Sequence, residues 1–229
     1  MSKTKPYGNP KTAHLLVIGH DPRLQESDTE AEYVFFVDYL EREPPTHKAA
    51  LRKYGLAKAV VDYIAYLSDN KYGIHTLDKI YFTNLCNELL PRPEKKNQTV
   101  IIPNDKADHG ISEIEEALGI GSFQLMLPMS LQVFYHLVRQ GFVPNKSDDM
   151  KEFLKRAHPD EAFAKQGAYR PIRQGAFVNV CGNVYYHGKV PVIPILHVKN
   201  WQKLIERTSY RSQLDKAVQQ IKSLIYVPG

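Results

Sequence analysis

Apolar residues along this chain fall into short solid runs, separated by longer stretches in which they return every three or four positions. "HLLVIG" (14–19) is one such run, closed by glycine, and predicts a strand buried on both faces. "KIYFTNL" (79–85) and "SFQLMLP" (122–128) predict a second and a third strand, and "KVPVIPILH" (189–197) a last one. Between the first two, Leu51, Tyr54, Ala57, Val61, Ile64 and Leu67 recur at helical spacing after Thr46, a candidate cap. "GISEIEEALG" predicts a short helix ended by Gly119, and "SLQVFYHLVRQG" a helix capped by Ser130 and stopped by Gly141. "AFVNVCGNVYYHG" predicts a hairpin turning at Gly182-Asn183, and "NWQKLIERTS" and "RSQLDKAVQQIKSLI" predict the last helices. "TEAEYVFFVDYLERE" leaves its type open, with a helix that turns its aromatics inward as the expectation. Strands alternating with helices imply a parallel sheet covered on both faces. The expected fold is α/β: a three-layer α/β/α sandwich around a central, mainly parallel four-stranded sheet.

The length, 229 residues, suits one domain spanning 1–229, with residues 1–12 as a basic N-terminal tail. No run approaches the roughly 18 apolar residues that cross a bilayer, and the N-terminus leads into a strand rather than a signal-peptide core. A soluble, cytoplasmic monomer without membrane contact is expected. The only cysteines, Cys86 and Cys181, cannot supply a four-cysteine zinc site or an iron–sulfur cluster, and structural thiols are expected. No two histidines stand in a His-x-x-x-His pair, so neither a metal nor a cofactor is expected. The net charge of +5 permits a polyanionic partner. Residues 21–43 are acidic, while basic residues gather elsewhere, among them Arg92, Lys95, Lys96, Lys199 and Lys203.

Each predicted strand ends in something polar. The first gives Gly19-His20-Asp21-Pro22-Arg23, the second Thr83-Asn84, the third Pro128-Met129-Ser130, and the last His197-Val198-Lys199-Asn200-Trp201. Ligands of open α/β sheets bind beyond the carboxyl ends of the strands, so Asp21, Asn84 and His197 converge on one rim. Pro22 biases Asp21 to an extended backbone, which holds its carboxylate at the sheet edge. The structural alternative makes Asp21 the cap of a helix that begins at Pro22.

These segments resemble the uracil-DNA glycosylase superfamily. "VIGHDPR" is similar to its first motif, "IYFTNLCNELLPRP" to its strand-plus-Asn segment, and "VPVIPILHVKNW" to its closing strand and histidine. "GISEIEEALGIGSFQLMLPMSLQVFYHLV" is similar to the middle stretch, and together the segments span about residues 14–207. The resemblance implies a glycosylase that flips a base out of DNA and hydrolyses its N-glycosidic bond, as in base-excision repair, with uracil or a related damaged base as substrate. Asp21 would orient the attacking water and stabilise a cationic sugar, and His197 would donate to the departing base. Gly19, His20 and Pro22 would wrap the base and Asn84 would read its edge. The base-stacking aromatic would be Tyr33, Phe35 or Phe36, with Phe36 carried into the site. Arg23, Lys199 and Asn200 would contact DNA, and Trp201 would wedge into the duplex.

The chain also departs from the family. His20 stands where Gln is usual and Arg23 where Tyr or Gly is usual. Val198, Lys199 and Asn200 replace Pro-Ser-Pro after the closing histidine, and the cluster-binding cysteines of one branch are absent. An alternative function is therefore a glycosylase-fold protein that binds nucleic acid or a nucleobase without cleaving it. A phosphate-handling α/β enzyme is disfavoured, because neither G-x-x-x-x-G-K-[ST] nor G-x-G-x-x-G occurs.

Overall fold

The computed structural model describes residues 4–20, 33–42, 44–88, 90, 100–157, 177–198 and 208–226. Its strands are β1 (Leu15–Gly19), β2 (Ile80–Asn84), β3 (Leu125–Pro128), β4 (Tyr185–His187) and β5 (Val190–Val192). Its α-helices are α1 (Lys48–Leu67), α2 (Asn104–Ile120), α3 (Leu131–Arg139), α4 (Asp148–Ala157) and α5 (Thr208–Ile225), with 3-10 helices at Val34–Glu41 and Ile74–Lys79. The sheet order is β2-β1-β3-β5-β4, parallel except for the final β4–β5 pair.

β1 shows why its apolar run is unbroken. Successive strand residues face opposite sides. Leu16 and Ile18 enter a core with Ile111 and Ile114 of α2, Phe134 and Leu137 of α3 and Phe153 of α4. Leu15 and Val17 enter a second core with Val60 and Ile64 of α1 and Leu214 and Ile221 of α5. Both faces are covered by helices, so the α/β sandwich expected from the sequence is the observed architecture.

The sheet has five strands rather than four. The hairpin turns at Gly188-Lys189, where Gly188 takes φ +57°, and not at Gly182-Asn183. Gly182 instead lets the backbone pass close to α5: a Cβ there would lie 2.8 Å from the Gln213 carbonyl oxygen. The run 189–197 is a strand only over Val190–Val192, the stretch that pairs with β4, and Pro194 beyond it has no amide to donate. The amides on either side of it, Ile193 and Ile195, still donate to Met126 and Pro128 of β3, both at 2.9 Å.

Residues 4–13 are not a free tail. Tyr7 exchanges two backbone hydrogen bonds of 2.9 Å with Phe82, and Thr4 and Ala13 are buried. This segment covers the outer edge of β2, which would otherwise expose unpaired backbone groups.

Several helix ends also differ from expectation. His47, not Thr46, precedes α1, and α2 runs through Gly119 to Ile120. Ser130 does cap α3, its hydroxyl accepting from the Val133 amide at 3.3 Å, and Gly141 follows the helix at φ +75°. "NWQKLIERTS" lies largely outside the described residues.

α2 packs against the backbone just after β2 only because Gly110 lacks a side chain. A Cβ there would stand 1.8 Å from the Leu85 carbonyl oxygen, with backbone on both sides of the clash. Gly110→Ala should therefore cost about 1–3 kcal/mol by overpacking and lower Tm by several degrees in a thermal melt. An unchanged Tm would mean that α2 can move away freely.

Candidate functional site

Register brings the strand ends to one rim. Gly19 pairs with Asn84, Ile18 with Pro128, and the Met129–Ile195 bridge sets His197 two residues further along the same edge. Beyond the strands, the Leu85 amide donates to the Gly19 carbonyl at 2.8 Å and the Cys86 amide to the His20 carbonyl at 3.1 Å. The start of the first motif is thereby tied to the segment that follows Asn84. β1 lies between β2 and β3, so the chain leaves it in opposite directions, the topological switch at which such sheets form a crevice.

Asn84 shares its strand parity with Ile80 and Phe82, so its side chain faces the α1 side. It is 1% exposed, and among the described residues neither its Oδ1 nor its Nδ2 has a hydrogen-bond partner. A buried amide left unpaired costs on the order of 1–3 kcal/mol, and such groups are rare in folded proteins. The group beside it is aromatic. A Cβ on Gly19 would lie 2.3 Å from both Asn84 Oδ1 and Phe35 Cζ, so amide and ring converge on the same glycine. Phe35 also meets Phe82 edge-on at 6.0 Å.

The backbone places Phe35, rather than Phe36, beside Gly19 and Asn84. Phe35 (φ 56°, ψ 7°) and Phe36 (φ 57°, ψ 31°) are consecutive left-handed residues, a conformation that bulky side chains rarely adopt. The bend sends adjacent rings to different places. Phe35 turns to Gly19 and Asn84, while Phe36 packs with Tyr39 and Ala57 of α1. The ammonium of Lys53, itself buried, lies 5.7 Å from the Phe36 ring and 5.8 Å from that of Tyr39, which fixes Phe36 on α1. Tyr33 is displaced too, pairing with Lys5 and stacking edge-on against Tyr7 at 5.8 Å.

On the opposite face, His20 is buried near His136 of α3. Burial, followed by the neighbouring Arg139 guanidinium and His20, pulls the His136 imidazole down to about 3. Asp108 and a backbone hydrogen bond at Ile102 pull the other way. Gln132, one turn earlier, accepts from the Ile102 amide at 3.1 Å and donates to the Val100 carbonyl at 2.7 Å. α3 thus pins the chain at residues 100–102 beside the rim.

The neutral His136 has a measurable consequence. Its folded pKa lies below the ordinary value near 6.5, so the unfolded chain takes up the proton first as pH falls. The stability it supports is complete above about pH 6.5 and is lost on acidification towards pH 3, by on the order of 2–3 kcal/mol at pH 4.5. Urea unfolding at pH 7 and pH 4.5 should show a smaller acid loss for His136→Gln than for the parent. Equal losses would contradict a buried neutral imidazole.

His197 is half-buried at the rim. The hydroxyl of Tyr63, wholly enclosed on α1, is raised well above its ordinary pKa by burial, and a hydrogen bond from the Leu196 backbone opposes that shift. Asp21, Pro22, Arg23, Lys199, Asn200 and Trp201 lie outside the described residues, as do Arg92, Lys95, Lys96 and Lys203. Cys86 and Cys181 are buried and unbridged, and burial pushes the Cys181 thiol up to about 12, which disfavours a thiolate there. Among the described residues no three His, Cys, Asp or Glu side chains are grouped to hold a metal ion, and no helix is long and apolar enough to cross a membrane.

No protein-family model matches the chain, and comparison with curated proteins gives no match.

Proposed function

We propose that this protein is a DNA glycosylase that flips uracil or a related damaged base out of DNA and hydrolyses its N-glycosidic bond. The observation that carries the reading is the buried amide of Asn84, unpartnered on both polar atoms beside Gly19 and the Phe35 ring. A carboxamide offers one donor group and one acceptor side by side, which complements the adjacent C=O and N–H of a uracil edge. The Phe35 ring lies against that amide, so the same space suits a flat base. Glycine between them allows a planar ligand to approach the backbone closely.

In this reading Asp21 takes the proton of a water that attacks C1′ of the sugar. The C1′–N1 bond breaks with its electron pair passing to the base, and His197 donates a hydrogen bond to the resulting anion. Asp21 also faces the positive charge that develops on the sugar. The basic residues Lys199 and Lys203, with Arg92, Lys95 and Lys96, are assigned to phosphate contacts, which makes binding salt-dependent.

The test is a panel of oligonucleotides, single- and double-stranded, each carrying one uracil, hypoxanthine or mismatched thymine and treated with alkali after incubation. Strand scission at uracil supports the reading. A panel left intact, with tight binding of the uracil-bearing strands, would replace it by the binding-only alternative. The loss of Pro-Ser-Pro after His197 favours that alternative, because a backbone pinch on the phosphate is then missing.

A further inference from the structure

The same site carries a device that an empty, pre-formed pocket would not have. Asn84 is not open to a ligand: it is 1% exposed, and the tip of Phe35 crowds the same glycine as its carbonyl oxygen. The residues that aim Phe35 there are strained, since two successive phenylalanines hold left-handed backbone. Phe36, Tyr39 and Lys53 hold the far side of the bend against α1, so the strained pair ends in the ring of Phe35 at Gly19.

We propose that Phe35 is a removable plug: in the free protein its ring covers the Asn84 amide, and an incoming base displaces the ring and takes its place. This rests on the reading of Asn84 as the base reader. The unpaired amide and the left-handed pair are two halves of one stored imbalance. Seating a base pairs the amide and frees the Phe35 backbone to relax, so the protein closes on itself when empty and opens only for a ligand that can hydrogen-bond. A flat apolar ring without a donor–acceptor edge displaces Phe35 but leaves Asn84 unpaired, and is rejected.

Two measurements on the parent, Phe35→Ala and the milder Phe35→Leu test this. The first is hydrogen exchange of the Asn84 side-chain amide in nitrogen-labelled protein. It should be slow in the parent, about tenfold or more faster in Phe35→Ala, and intermediate in Phe35→Leu. The second is stopped-flow binding of a short single strand bearing uracil on an uncleavable 2′-fluorinated sugar. Removing a plug should raise the association rate about tenfold, because no ring has to move first. A ring that merely stacks on the base would change only the dissociation rate. Equal amide exchange in parent and Phe35→Ala overturns the plug, even if the parent excises uracil. Faster exchange in Phe35→Ala with no strand bound by any variant upholds the cover and overturns the base-reading role of Asn84 instead. An unaltered association rate with a faster dissociation rate leaves Phe35 as a stacking ring and overturns displacement.

Discussion

Asn84→Leu should melt higher than the parent and lose nearly all uracil excision. Leucine keeps the branched shape of asparagine while removing two buried polar atoms that have no partner. Replacing such atoms by apolar ones recovers part of a desolvation cost of about 1–3 kcal/mol, reduced by the crowding of larger methyl groups against Gly19 and Phe35. A net gain of about 1 kcal/mol corresponds to roughly 2–4 °C in Tm for a chain of this size. Excision should fall on the order of 1000-fold, about 4 kcal/mol of barrier, because the reader of the base edge is gone. Stability and activity moving in opposite directions is the signature of a residue kept for its ligand. Differential scanning calorimetry and single-turnover excision on the same preparation check it. A variant that melts well below the parent would make Asn84 a structural residue.

Asp21→Asn has the second largest expected effect. Asparagine matches aspartate in size and in much of its capping ability, so a structural role at the start of a helix would lose about 1 kcal/mol or less. A carboxylate that orients water and faces a developing cation would lose on the order of 100-fold or more in rate, about 2.7 kcal/mol. Tm and the single-turnover rate should therefore separate, with the first nearly unchanged and the second collapsed. A parental excision rate in Asp21→Asn would return Asp21 to the role of helix cap.

The legible parts of this sequence are those where one physical demand acts alone. Leu15 to Ile18 had to be a strand covered on both faces, since every side chain in the run is apolar and each ends in one of the two cores. Gly19 and Asn84 stand at strand ends, and their pairing follows once β1 and β2 lie parallel. The Phe35–Phe36 bend had no local signal. Neither residue favours a left-handed backbone, and the seat for Phe36 among Tyr39, Ala57 and Lys53 is a tertiary contact that the local sequence does not announce. Two turn signals competed after residue 177, and the tertiary contact of Gly182 with α5 left the hairpin to Gly188. α4 was hidden by its polarity, although Met150, Phe153 and Ala157 form a buried stripe and the Ser147 hydroxyl accepts from the Met150 amide at 3.3 Å. The basic N-terminal residues read as a tail because covering a sheet edge requires backbone groups, which composition does not report.

A glycosylase must release the free base. The protein, in excess over a duplex carrying one uracil, would be sampled with time and the supernatant analysed by mass spectrometry for uracil, in parallel with Asp21→Asn and Asn84→Leu. Expected is one equivalent of free uracil from the parent, appearing at the rate at which alkali-labile sites form, and little from either variant over the same period. Intact duplex and no free uracil from the parent at any protein excess would contradict it.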